Sequence, residues 1–258
     1  MKLARFQAGY SRELEVVSGI NVVFPEGSVT AVLGPNGSGK STLLKGIMGF
    51  SGVSCSGSVM FRNTDIRRIS RKKRAELVGY LPQSSPVPAG LTGLETVLLG
   101  RHPHRSSWAG DSQKDIKVAE EALELVDASY LAEKPVDRIS GGERRLVNLA
   151  AVLAQETPVI LLDEPGSSLD YGNAGHLWQL LSRLAKTGKT IIATTHRIGM
   201  AAGHFDRVLL IAGGTQIEYG EPEKVFSSEG LLSQVYGTPL RAVKNGSEGW
   251  IVVPEVTE

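Results

Sequence analysis

Nine residues, Gly34 to Thr42, reading GPNGSGKST, constrain this chain more than any other stretch. They fit the pattern G-x-x-x-x-G-K-[ST], in which glycines shape a loop, a lysine reaches the β- and γ-phosphates of a nucleotide, and a hydroxyl meets Mg²⁺. Gly34 and Gly39 fix the loop, Lys40 supplies the cation and Ser41 the hydroxyl. Pro35, Asn36, Gly37, Ser38 and Thr42 complete the cradle. Glycines let backbone N–H groups turn inward as an anion nest, and a following helix adds the positive end of its dipole. The flanks agree with such a junction. Ser28 to Leu33 reads SVTAVL, an apolar strand, and Leu43, Leu44 and Ile47 give the exit a helical apolar face. A chance match is about a one-in-a-hundred event for an unrelated chain of this length. A strand, a phosphate loop and a helix in series require an α/β fold.

Composition sets the outer limits. The chain has 258 residues with 41% hydrophobic content, enough for a substantial core. Its net charge of +1 provides no global field to recruit nucleic acid or an anionic membrane. Cys55 is the single cysteine, which excludes an internal disulfide and any multi-cysteine metal site and fits a reducing cytosol. The amino terminus shows no signal-peptide pattern, and no apolar run approaches the ~20 residues needed to span a bilayer. Work at a membrane is therefore expected of a bound subunit.

Residues 1 to 24 carry two β-like runs, MKLARF and ELEVVSGINVVF, separated by Ala8 to Arg12, which predicts a small antiparallel unit ahead of the loop. Tyr10, the aromatic in that connection, fits either stacking on a base or plain packing. Gly57 to Phe61 reads as a strand. Asp65 to Glu76 reads as a basic helical stretch, and its Arg and Lys residues, interleaved with Ile66, Ile69 and Ala75, are taken as a solvated surface rather than a nucleic-acid site. Leu77 to Leu81 is a short strand ending at Pro82-Gln83, and a glutamine at a strand's carboxyl end sits where ligands bind in parallel sheets.

From Ser84 to about Gln155 the pattern becomes helical, after a connection reading SSPVPAGLTG. The apolar periods Leu94, Val97, Leu98; Ile116, Ala119, Leu123, Val126; and Leu146, Leu149, Leu153 predict an inserted helical subdomain. Arg101 to Trp108, with His102 and His104, lacks further ligands for a metal and reads as a surface loop. Ser140-Gly141-Gly142-Glu143 is a capping box opening the last helix. Two glycines in the first turn are costly for a cap alone, but bare backbone at a helix amino terminus can approach an anion closely.

Val159 to Leu162 is a continuous apolar run, as in a strand buried on both faces, and it ends in Asp163-Glu164. Adjacent acids there are expensive without a cation or a catalytic duty. Successive side chains diverge, so Asp163 can face Mg²⁺ while Glu164 addresses a water beside the terminal phosphate. Ser168-Leu169-Asp170 follows, then a helix with Leu177, Leu180, Leu181 and Leu184, then a strand Thr190 to Thr194 delivering His196 as a γ-phosphate contact. Arg207 to Ile211 and Gln216 to Tyr219 read as further strands.

Together these pieces resemble the ATP-binding cassette (ABC) ATPases over nearly the whole chain. GPNGSGKST resembles Walker A, Gln83 the Q-loop, ISGGERR at Ile139 to Arg145 the signature, VILLDEP the Walker B, SSLD at Ser167 to Asp170 the D-loop, and His196 the switch histidine. The resemblance implies a P-loop NTPase core with a mostly parallel sheet, an N-terminal antiparallel β-subdomain and an α-helical subdomain inserted at 84–155, within one domain spanning 1–258. It implies that Tyr10 stacks on adenine and that Ser41, Gln83 and Asp163 hold Mg²⁺. Glu164, His196 and Lys40 are implied as catalytic. Two copies are expected to close head to tail over two ATP molecules, each resting on Walker A of one chain and on Ser140, Gly141, Gly142 and Glu143 of the other, with Asp170 nearby.

LLGRHPHR, SGGERR and the VYG-x-P run from Val235 to Pro239 are most similar to ATPase subunits of metal-chelate importers, which serve ferric siderophores, haem, cobalamin and related substrates. The implied partners are a membrane permease, touched through Gln83 and Arg101 to Trp108, and an extracytoplasmic binding protein. The implied place is the cytoplasmic face of the membrane, held peripherally. Ile139, Gly166 and Arg197 depart from the family's usual leucine, threonine and aspartate. The alternative is a soluble family member acting in cluster or cofactor assembly. A guanine-nucleotide switch or small-molecule kinase lacks support, because no N-K-x-D or T-K-x-D motif is present and neither explains SGGE.

Overall fold

The runs without charged residues become the centre of the molecule, because a strand with helices on both sides has no face left for water. The computed structural model describes residues 1–10, 15–85, 90–105, 111–196, 198, 202–246 and 249–255. The expectations for Ser11, Arg12, Ser106 to Trp108, Arg197 and the middle of SSPVPAGLTG lie outside the described residues.

In chain order the strands are β1 (Lys2–Gly9), β2 (Glu15–Val23), β3 (Val29–Leu33), β4 (Ser54–Phe61), β5 (Thr64–Asp65), β6 (Val78–Leu81), β7 (Val159–Leu162), β8 (Thr190–Thr194), β9 (Arg207–Ala212), β10 (Thr215–Gly220), β11 (Leu240–Lys244) and β12 (Trp250–Pro254). The helices are α1 (Lys40–Met48), α2 (Arg71–Leu77), α3 (Gly93–Leu98), α4 (Gln113–Leu125), α5 (Gly141–Ala154), α6 (Tyr171–Lys186), α7 (Pro222–Phe226) and α8 (Leu231–Tyr236). One sheet runs β5-β4-β1-β2-β10-β9-β3-β8-β7-β6, and β11 pairs with β12 in a separate hairpin. From β9 to β6 every pairing is parallel, whereas β10 with β9 and the β2-β1-β4-β5 arm are antiparallel. A parallel P-loop core with an antiparallel N-terminal arm is the expected fold.

Alternation along β3 divides the core. Val29, Ala31 and Leu33 face a cluster built with α5 and α6, while Val32 faces Leu43, Leu44 and Ile47 of α1 together with the antiparallel arm. Each apolar face of the sheet is thus covered by helices. The carboxyl ends of β3, β6, β7 and β8 emerge on one side, where parallel sheets bind their ligands.

Two expectations are corrected. The basic stretch at 65–76 is not one helix: Thr64–Asp65 pairs with β4, Ser70 caps the chain by accepting from Lys73 N, and only Arg71–Leu77 is helical. Nor is it wholly solvated, since the Arg74 guanidinium donates to the carbonyls of Met48, Ile66 and Arg67. Arg101 is likewise no surface residue. Leu99–His104 forms a 3₁₀ turn, and Arg101 is 3% exposed, with Nε 3.0 Å from Asp115 Oδ1 and Nη1 2.8 Å from Glu156 Oε2. Its partner Asp115 also closes the capping box of α4 with Ser112. The helical block, α3 to α5, falls between β6 and β7 in the chain, and Arg101 ties its turn to α4 and to the end of α5. His102 and His104 remain exposed, and His104 Nε2 lies 2.7 Å from Gln155 O.

Breaking a buried pair strands the surviving charge. Arg101→Met is expected to lower unfolding free energy by about 3 kcal/mol in urea titrations. Hydrogen bonds from Ser112 and Arg101 hold the Asp115 carboxyl below its usual 3.8, at about 2. A depressed folded pKa stabilises the fold fully above pH 3.8, and that contribution drains away as pH falls towards 2. Acid melts should show this loss in the wild type and not in an Asp115→Asn variant.

Candidate functional site

The phosphate loop joins β3 to α1, and its glycines are dictated by contact. A Cβ on Gly34 would sit 2.0 Å from Ile211 O, and one on Gly39, where φ is +97°, would sit 2.5 Å from Val17 Cγ2. With Gly39 at the cap, no side chain caps α1 and no acid lies in its first turn. The amides at that helix start are thus free for an anion. Lys40 is 6% exposed, and its ammonium donates to Gly34 O and Pro35 O, both at 2.8 Å. Burial pushes its pKa below the ordinary lysine value, while Glu164 and Asp163 oppose that shift. The buried Ser38 hydroxyl has no hydrogen-bond partner among the described residues. A buried ammonium, open amides and an orphan hydroxyl fit a polyphosphate.

Opposite the loop, β7 ends in an acidic pair, with Thr194 at the end of β8 beside it. Asp163 is 1% exposed, and its Oδ1 accepts from Ser41 Oγ at 3.0 Å and from Thr194 Oγ1 at 2.7 Å. A carboxylate beside a hydroxyl is an oxygen donor set suited to a hard divalent cation, which takes few protein ligands when phosphates supply the rest. Glu164 leaves the strand with φ +50°, and its N–H donates to Thr194 Oγ1 at 2.8 Å. A non-glycine residue in that region costs about 1–3 kcal/mol and persists only where surroundings enforce it. The turn swings its carboxylate away from Asp163. Glu164 Oε2 lies 3.3 Å from Gln83 Nε2 and 3.2 Å from His196 Nδ1.

A cleft of about 580 Å³ collects Tyr10, Asn36, Gly37, Gly39, Lys40, Ser41, Thr42, Gln83, Glu164 and His196, with Val16. Gly34, Pro35 and Ser38 belong to the loop but do not line the cleft. Tyr10 is 51% exposed, its hydroxyl 3.4 Å from Thr42 Oγ1. Its ring is available at the cleft mouth. Ser140, Gly141, Gly142 and Glu143 do not line this cleft, and neither does Asp170. Asp170 caps α6, accepting from Asn173 N at 2.8 Å. At α5, Ser140 and Glu143 satisfy each other's backbone in a complete capping box. Gly141 is exposed, and a Cβ there would meet nothing within 4 Å.

Three residues have no individual role in the sequence reading. Arg145, 5% exposed, spreads its guanidinium over the carbonyls of Pro82, Gln83, Asp163, Glu164 and Pro165. One side chain of α5 thereby fixes the ends of both β6 and β7. A signal existed: Arg145, Leu149 and Val152 share a helical face, so a charge stands in an apolar stripe. Thr194 bridges Asp163 and Glu164, and Tyr236 accepts from Gly34 N at 2.9 Å. Neither carries a local signal.

Comparison with known proteins adds the following. The model of the ABC transporter family matches residues 17–167. The hemin import ATP-binding protein HmuV of Myxococcus xanthus is 38% identical over 245 residues, covering 92% of this chain and 90% of that protein. Among solved structures, an ABC transporter described as metal-chelate type, in an inward-facing conformation, matches with a TM-score of 0.79 at 27% identity over 99% of this chain and 97% of that one. A dimeric ATP-binding cassette in a post-hydrolysis state, bound to ADP and Pi, matches with a TM-score of 0.75 at 27% identity, covering 86% and 98%.

Lysine at position 145 would keep the charge without the fork that reaches several carbonyls. Arg145→Lys is expected to cut nucleotide hydrolysis about tenfold while nucleotide affinity stays within about threefold. Equal losses in both, measured by steady-state turnover and equilibrium binding, would remove Arg145 from its place at the strand ends.

Proposed function

Because this chain belongs to the ABC transporter family and is an ATPase of that family, we propose that it powers import of a metal chelate, such as hemin or a ferric siderophore, through a separate membrane permease. The observation that carries the chemical half is the meeting, in one cleft, of an uncapped helix start, the Lys40 ammonium and the Glu164 carboxylate. The transport half rests on the 38% identity to a hemin import protein over nearly its full length. That likeness favours import over the assembly alternative.

In this reading Tyr10 stacks on adenine, and the amides of Asn36 to Thr42 with the Lys40 ammonium bind the triphosphate. Ser41, Asp163 and Gln83 would hold Mg²⁺, which when bound supplies positive charge against the phosphate oxygens. Glu164 accepts a proton from the attacking water, and its left-handed backbone turn aims the carboxylate into the cleft rather than at Asp163. His196 and Gln83, both within 3.3 Å of Glu164 Oε2, orient that carboxylate and the terminal phosphate.

Ser140, Gly141, Gly142 and Glu143 serve a second copy of the chain. Their absence from the lining of their own chain's cleft supports this, as does the bare face of Gly141. Gly142 has an additional reason within the chain, since a Cβ there would lie 3.1 Å from Ser168 O. Two copies closing head to tail complete two sites, and Asp170 sits beside the joint.

Among the described residues no helix is long and apolar enough to cross a membrane. The chain works peripherally on the inner face, bound to the permease. Gln83 and the neighbouring turn carry the coupling, with exposed Leu99, His102 and His104 facing outward in place of the buried Arg101.

Glu164→Gln is expected to bind ATP normally, lose at least about 100-fold in turnover and accumulate as a dimer by size-exclusion chromatography. Unchanged turnover would take Glu164 out of the reaction. Gly141→Leu should bind ATP as a monomer but neither dimerise nor hydrolyse, and full turnover from that monomer would defeat the shared site. In proteoliposomes with the permease, a hemin- or siderophore-loaded binding protein should stimulate hydrolysis. Stimulation by neither would end the metal-chelate assignment.

A further inference from the structure

The run from Val235 to Pro239 reaches the phosphate loop through Tyr236. Helix α8 ends at Tyr236, where Gly237 takes a left-handed turn with φ +64°. Ser233 locks that turn, its hydroxyl donating to Leu240 O at 3.0 Å and accepting from Leu240 N at 2.9 Å. Val235 and Tyr236 pack against the core cluster that includes Leu33 and Leu210. The Tyr236 hydroxyl is thereby carried across 202 residues of sequence to accept from Gly34 N at 2.9 Å.

Gly34 is held on every side. Its N–H goes to Tyr236, its carbonyl receives the Lys40 ammonium at 2.8 Å, and Ile211 O leaves no room for a Cβ. These bonds form one chain: tyrosine hydroxyl, glycine peptide, lysine ammonium. We propose that Tyr236 is a positioning residue for ATP binding, a peg from the C-terminal segment that fixes the first peptide of the phosphate loop and, through Gly34, the seat of the Lys40 ammonium. It touches neither nucleotide nor the reacting atoms. The proposal rests on the nucleotide-binding reading given above.

The loss of one hydroxyl leaves a buried N–H without a partner and frees the loop's first peptide to shift. Burial pushes the Tyr236 phenol up to about 12, so the group stays a neutral hydroxyl across the working pH range and the bond is not a pH switch.

Tyr236→Phe keeps the ring and its packing. Equilibrium titration with a fluorescent ATP analogue is expected to show affinity reduced about tenfold, with kcat at saturating ATP within about twofold of wild type. In a Lys40→Ala background the same change should weaken binding by less than about twofold, because the seat it maintains is already empty. Ser233→Ala, which loosens the turn without altering the phenol, should give a smaller loss in the same direction.

Wild-type affinity in Tyr236→Phe overturns the proposal, and so does a tenfold penalty that persists undiminished in the Lys40→Ala background. Failure of Tyr236→Phe to fold also overturns it, since a local peg predicts a melting curve shifted by only a few degrees. If the wild-type chain binds no ATP, the functional reading falls together with this inference. If it binds ATP and Tyr236→Phe binds equally well, the inference falls alone.

Discussion

The guanidinium of Arg145 is the interaction on which the site depends. Burying a cation is costly, and the cost is offset here by carbonyl oxygens at the ends of two strands, with the Asp163 and Glu164 carboxylates close by. Those carbonyls belong to peptides that end regular strand pairing, so a purely apolar α5 would leave them without partners. The same bonds enforce the left-handed turn at Glu164, which its Thr194 contact alone would hold less firmly. Because Arg145 stands one turn into the helix that Ser140 caps, the backbones bearing Gln83 and Glu164 are fastened to that helix. A rigid shift of α5 is therefore delivered to both.

What was legible in the sequence is what local pattern controls. The phosphate loop, the apolar strands β3, β7 and β8, and the capping box at Ser140 are each spelled out within a dozen residues, and each forms where expected. The basic stretch misled because charge composition reports helical propensity but not burial. Arg74 could not be known to turn inward without knowing that Met48 and Ile66 carbonyls lie beneath it. Arg101 failed for the same reason, its partners Asp115 in α4 and Glu156 just beyond α5 being supplied from elsewhere in the chain. Tyr236 is the extreme case. Nothing near it in the chain predicts a bond to a peptide 202 residues away.

The site is also informative for what it separates. One cleft gathers the loop, Glu164 at its strand end and His196, whereas the capped start of α5 presents its bare Gly141 to solvent. Ser140 and Glu143 each accept from the other's backbone N–H, which orders the start of α5.

The strand order has a consequence for synthesis. In the sheet β3 lies between β8 and β9, both parallel to it, so the strand that leads into the phosphate loop has no neighbour until residues 190–194 and 207–212 exist. Tyr236, which holds the loop's first peptide, comes later still. A ribosome-bound chain carrying every residue of GPNGSGKST thus has the letters of a phosphate cradle without its shape. Long-range parallel pairing of this kind delays folding until late in translation, and the antiparallel arm of β1, β2 and β4, complete by residue 61, is the part able to form first. The full set of bonds around the loop exists only once the chain has been made as far as residue 236.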